Sequence, residues 1–155
     1  ANMVVHSDLN CLSVMQFAVE YLKVKHVIVT GHYGCGGVKA AVMKQNLGLI
    51  DHWLLNVQDV QYIHQTYLTD DADKDRVIDQ VCELNVIEQV VNVCKTNIIR
   101  DAWTRGQPLT VHGWIYGIAD GLLRDLNMNI SCREEMRNIY HAAVEGIKQR
   151  YAEPS

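Results

Sequence analysis

The sequence predicts an α/β fold with a mainly parallel central sheet flanked by helices and an antiparallel hairpin at its C-terminal edge. Three observations carry this. Apolar residues recur three and four apart along several long segments, short β-branched or alternating runs lie between them, and no repeat or low-complexity tract interrupts the alternation. At 155 residues, 48% of them apolar, the chain is read as a single domain over 1–155 with enough apolar mass for a core.

Ser7 or Asp8 is placed to cap a first helix over 8–23, in which Leu9, Leu12, Met15, Val19 and Leu22 form one apolar stripe. His26-Val27-Ile28-Val29-Thr30 is a β-branched run without alternation, the pattern of a strand buried on both faces. The glycine cluster from Gly31 to Gly37 follows at once, and Val38 to Met43 resumes a helical composition. Trp53, Leu54, Val57, Val60, Ile63 and Tyr67 mark a helix over 50–68. A polar connector over 69–75 leads into a long helix carrying Val77, Val81, Leu84, Val91, Cys94, Ile98 and Ala102, which Gly106-Gln107-Pro108 stops. Strand-like runs over 109–116 and 122–126 flank Gly117 to Gly121 and predict the edge hairpin. Ser131 is a candidate cap for a last helix over 133–150.

The formal charge of −4 and the absence of a basic run leave no electrostatic footprint for nucleic acid. No apolar stretch approaches the roughly 20 residues that span a bilayer, so no membrane partner is expected. Five cysteines, odd in number and mostly within apolar helical patterns, read as reduced thiols and point to the cytoplasm.

The chemistry-bearing constellation is His32-Tyr33-Gly34-Cys35 at the carboxyl end of the buried run, the place where open α/β sheets build their sites. Imidazole and thiolate are both good Zn2+ ligands at about 2.0 to 2.3 Å, and three residues across a glycine-rich turn let them converge on one ion. Two ligands alone do not hold zinc, and a loop-capping His beside a small buried Cys is the alternative reading. The same glycines also invite a phosphate-cradle reading, but those at 31, 34, 36 and 37 give neither G-x-G-x-x-G nor G-x-x-x-x-G-K-[ST]. Cys11, Cys82, Cys94 and Cys132 each lie in or beside an apolar helical pattern and are read as buried or surface thiols, not ligands.

Gly31-His32-Tyr33-Gly34-Cys35-Gly36-Gly37 resembles the H-x-x-C-G-G motif of the β-class carbonic anhydrases. The resemblance continues, in order, through Asn10-Cys11-Leu12-Ser13, Leu47 to Ile50 with Trp53-Leu54-Leu55, and Glu83-Leu84-Asn85-Val86 with Glu88-Gln89-Val90. It ends with Ala102-Trp103, Arg105-Gly106-Gln107, and His112-Gly113-Trp114-Ile115-Tyr116 with Asp120-Gly121, all similar to the bacterial members. It implies that His32 and Cys35 hold zinc together with an earlier Cys, and that hydroxide generated at the metal attacks CO2 to give bicarbonate. Gly36 and Gly37 would then border the substrate pocket, and Phe17 would match an aromatic that lines a partner subunit's pocket in a dimer or tetramer. Tyr116 would match one residue of a non-catalytic bicarbonate site found in some relatives; ending a strand at the surface is its other reading.

The C-x-D-x-R motif that supplies the third ligand and the catalytic Asp and Arg does not occur in the chain, which opens at Ala1-Asn2, downstream of where the family carries it. The expectation is therefore an N-terminally incomplete domain whose central strand is missing. No proton shuttle stands out among the seven His. Two alternatives remain at this level: a zinc-depleted, non-catalytic relative, and a sister hydrolase acting on carbon disulfide.

Overall fold

The computed structural model describes residues 1, 3–68 and 73–152. Along the chain run α1 (Leu9–Gln16), a π-helical turn (Phe17–Tyr21), β1 (His26–His32), α2 (Gly36–Val42) and α3 (Ile50–Ile63). These are followed by α4 (Lys74–Lys95), α5 (Asn97–Thr104), β2 (Thr110–Gly117), β3 (Leu122–Ile130) and α6 (Met136–Ala152).

The three strands form one sheet in the order β1-β2-β3. β1 and β2 are parallel, with Gly31 opposite Ile115 and His32 opposite Tyr116, whereas β2 and β3 make the expected antiparallel edge hairpin. The α/β class stands, with a sheet that is mixed across these strands. In the hairpin, Trp114 faces Asp125 but Gly113 faces Met128, so β3 bulges between them, where Asn127 takes a φ of +60°.

α4 supplies the spine of the core. All seven of the apolar residues read as one helical stripe, Val77 through Ala102, are buried, but they are shared between two helices. Thr96 adopts an extended conformation, and its hydroxyl accepts from Ile99 N–H at 3.4 Å and donates to Val93 O at 2.8 Å. A residue that caps the next helix cannot also continue the previous one, which is why the long helix breaks there.

Several other boundaries move for equally local reasons. Asp73 caps α4 through bonds from Asp75 N–H and Arg76 N–H, so the helix begins before the apolar stripe does; residues 69–72 of the expected connector lie outside the described residues. The helix read over 50–68 ends at Ile63, and His64 to Tyr67 form turns. At the last helix, the Glu135 carboxylate accepts from Ser131 N–H, from its hydroxyl at 2.8 Å and from Cys132 N–H at 3.2 Å; this closes a turn and delays the helix to Met136.

β1 departs from the reading of a strand buried on both faces. His26, Ile28 and Thr30 are exposed while Val27, Val29 and Gly31 are partly covered, because α4 packs on one face of the sheet only. The uncovered face also carries His112, Trp114 and Tyr116 of β2, in register with β1. β1 pairs only with β2 among the described residues, so its other edge is free.

Candidate metal centre

β1 delivers the site. Its last residue is His32, and the chain then turns through Tyr33 and Gly34 into Cys35, the N-cap of α2. Gly31 lets β1 lie against α4, since a Cβ at this position would stand 2.5 Å from Val86 Cγ2. Gly34 has a φ of +67°, a left-handed conformation that glycine adopts without strain.

The loop is tied down on three sides. Tyr33 N–H donates to Tyr116 O at 3.0 Å, continuing the β1–β2 ladder one residue beyond the strand. Gly34 N–H donates to the Asp79 carboxylate at 3.4 Å, and Asp79 is pushed above the usual carboxylate range chiefly by burial. The Tyr33 hydroxyl donates to Glu83 at 2.6 Å, and burial first, then this bond, raises its pKa.

His32 Nδ1 lies 2.9 Å from Tyr33 O. A carbonyl only accepts, so Nδ1 carries the proton of the neutral ring and Nε2 keeps its lone pair. Cys35 makes no side-chain capping bond and is buried, a free thiol. Both side chains wall one cavity of about 140 Å³, together with Val29, Val38, Val86, Asn85, Gln89 and Cys82. Within it the Gln89 amide is held at both ends: Oε1 accepts from Val4 N–H at 2.8 Å and from the Asn92 amide at 3.2 Å, and Nε2 donates to Asn85 at 3.1 Å.

The donor set fits zinc in type: one imidazole with a free Nε2 and one uncapped thiol open onto a shared space. Among the described residues no third His, Cys, Asp or Glu completes a group that would hold an ion. Cys82 shares the cavity, but burial pushes its thiol up to about 12 and it accepts an N–H from Cys35, in keeping with its reading as a buried thiol.

The structure thus brings His32 and Cys35 together and places the other expected site residues differently. Gly36 and Gly37 follow in the first turn of α2 outside the cavity walls, Gly37 close against Ala1. Phe17 does not line the cavity of its own chain; it is 54% exposed and stacked on Tyr21 at 5.6 Å. Tyr116 is the penultimate residue of β2, opposite His32, with its backbone supporting the loop and its side chain partly exposed.

Asp79, Glu83, Asn85 and Gln89 were missed by sequence reasoning, which followed the apolar stripe of their helix. Three of them are polar residues in a helix buried nearly all round, and that contrast was the available signal.

No helix among the described residues is long and apolar enough to cross a membrane. A model of the carbonic anhydrase family matches residues 1–123. A carbonic anhydrase of Emericella nidulans is 42% identical over 129 residues, which cover 83% of this chain and 57% of that protein. One of Candida albicans is 29% identical over 97% of the chain and 53% of its own length. The chain therefore spans about half the length of these curated relatives. Of solved structures, the Coccomyxa β-carbonic anhydrase in complex with acetazolamide superposes with a TM-score of 0.84 at 34% identity, covering 99% of this chain and 69% of that one. A tetrameric β-carbonic anhydrase of Sordaria macrospora gives 0.76 at 31% identity, over 83% of this chain and 66% of its own. A family model matched over most of the sequence, a shared fold, and a His and Cys brought together on one cavity agree: the chain belongs to the β-carbonic anhydrase family.

Proposed function

We propose that the protein carrying this chain is a zinc-dependent carbonic anhydrase that interconverts CO2 and water with bicarbonate and a proton. The observation that carries this is the placing of His32 and Cys35 on the wall of one cavity, in a chain of this family. Zinc bound there would supply Lewis acidity, lowering the pKa of water far enough to make hydroxide accessible at neutral pH.

The chain's own residues bind and orient. His32 offers Nε2 because Tyr33 O holds its other nitrogen, and Cys35 supplies a soft anionic donor from the rim of α2. A tetrahedral site needs a further protein donor, and the free edge of β1 gives a place for a strand that brings one. The cysteine of a C-x-D-x-R strand laid along that edge is our assignment for it. Val29, Val38 and Val86 give the cavity an apolar wall suited to an uncharged substrate.

Phe17 and its exposed apolar neighbours Leu9, Val14 and Leu22 support a homo-oligomer in which this face meets a second copy. The Sordaria relative is described as tetrameric, which favours a dimer or a higher assembly here. Tyr116, partly exposed beside the loop, is retained as a candidate for bicarbonate regulation. The cysteines all stand as free thiols, which supports a reducing compartment such as the cytoplasm.

Elemental analysis of the purified protein tests the metal reading. One zinc per chain is expected, with most of it lost in Cys35→Ser and His32→Ala because hydroxyl and methyl groups are far poorer ligands than thiolate and imidazole. Full zinc content in both variants would refute it.

A further inference from the structure

Tyr33 stands between the two candidate ligands, and its side chain leaves the loop for the interior. Its hydroxyl donates to Glu83 Oε1 at 2.6 Å, across the interface between the loop and α4. Glu83 is 1% exposed, and a carboxylate so far from water is tolerable only when paired and hydrogen-bonded. Its partners come from the far end of the chain. The Tyr151 hydroxyl donates to the same Oε1 at 3.1 Å, and the Arg150 guanidinium pairs with Oε2. Tyr151 is itself fixed, its carbonyl accepting from Arg76 at 2.7 Å. A continuous set of bonds thus runs from α6 through Glu83 and the Tyr33 side chain to the Tyr33 carbonyl, which holds His32 Nδ1 at 2.9 Å.

We propose that Glu83, clamped by Arg150 and Tyr151, is a positioning residue that fixes the His32 imidazole through Tyr33. The physical ground is that metal-binding histidines depend on the group holding their second nitrogen, and here that group is a backbone carbonyl in a short loop. A loop carbonyl is only as fixed as its residue, and Tyr33 is anchored by its ring hydroxyl to a buried charge that cannot move without losing its other partners. α6, remote in sequence from the loop, thereby sets the direction in which Nε2 points. The inference rests on the zinc reading for its consequence but not for the anchoring itself.

Two measurements on the intact protein test it. In the first, the zinc-loaded protein is mixed with a chromophoric chelator. Tyr33→Phe and Glu83→Gln are expected to release zinc about tenfold faster than the unsubstituted protein. Tyr140→Phe, which removes a similar tyrosine–carboxylate bond to Glu88 away from the loop, should release it at the unsubstituted rate. Unchanged release in Tyr33→Phe would overturn the proposal, and equal acceleration in Tyr140→Phe would overturn it in favour of general destabilisation. In the second, 15N NMR of the metal-free protein at a pH where the ring is neutral reads the His32 tautomer directly. The Nδ1–H form should dominate in the unsubstituted protein and give way to a mixture in Tyr33→Phe. An identical tautomer in both would sink the anchoring. If the unsubstituted protein takes up no zinc, the metal reading falls and the NMR result alone decides the anchoring.

Discussion

Glu88 illustrates how single side chains of α4 act beyond the helix. Burial raises its pKa, but bonds from His64 at 2.8 Å and from the Tyr140 hydroxyl at 2.7 Å more than offset this, and the carboxyl ends below its ordinary 4.5. A carboxyl depressed by folding contributes stability that is complete above its unfolded value and lost as the pH falls through the folded one. Urea midpoints measured from neutral pH downward should therefore fall below about pH 4.5 in the unsubstituted protein, and Glu88→Gln should flatten that acid limb while lowering the midpoint at pH 7. The same acid limb in both proteins would show that Glu88 does not carry it. At this scale the sequence was legible for His32 and Cys35, whose types and spacing announce metal chemistry. It was not legible for Glu83 or Tyr33, because their roles depend on residues about 50 and 67 positions away that only the fold brings together.

Between residues and the molecule stand the elements, whose limits were set by caps and close approaches more than by periodicity. The apolar stripe from Val77 to Ala102 correctly marks what is buried, yet it runs straight through Thr96, where the helix breaks. Periodicity reports which face is covered, and a change of helix axis after a capping residue leaves that pattern almost intact. Thr96→Ala should lower stability by about 1 kcal/mol, read from chemical denaturation, because Ile99 N–H loses its side-chain acceptor. A pair of glycine substitutions separates close approach from mere flexibility. Gly31→Ala sets a Cβ 2.5 Å from the buried, stiff Val86 side chain and should cost about 1 to 3 kcal/mol, whereas Gly36→Ala enters open space and should change stability little. Equal effects would mean that β1 does not lie as close to α4 as described. The strand itself was readable from its β-branched run, but its open face was not, since an uninterrupted apolar run says that both sides are apolar and not what covers them.

For the whole molecule, the uncovered surface is the informative part. Leu9, Val14, Phe17, Tyr21 and Leu22 lie exposed along the first helical segment, and Ile28 and Leu123 lie on the open side of the sheet. Apolar area of this extent is what an isologous interface covers, so sedimentation at micromolar concentration should show at least a dimer. A monomer would contradict it, and Phe17→Asp is expected to shift the equilibrium toward smaller species by placing a charge in that face. The central claim is that the cavity at the end of β1 is a zinc site for CO2 hydration. Stopped-flow CO2 hydration by the zinc-loaded protein across pH 6 to 9 tests it most directly: the account predicts a rate well above buffer that rises with pH and is lost in Cys35→Ser, and a buffer-level rate at every pH would contradict it.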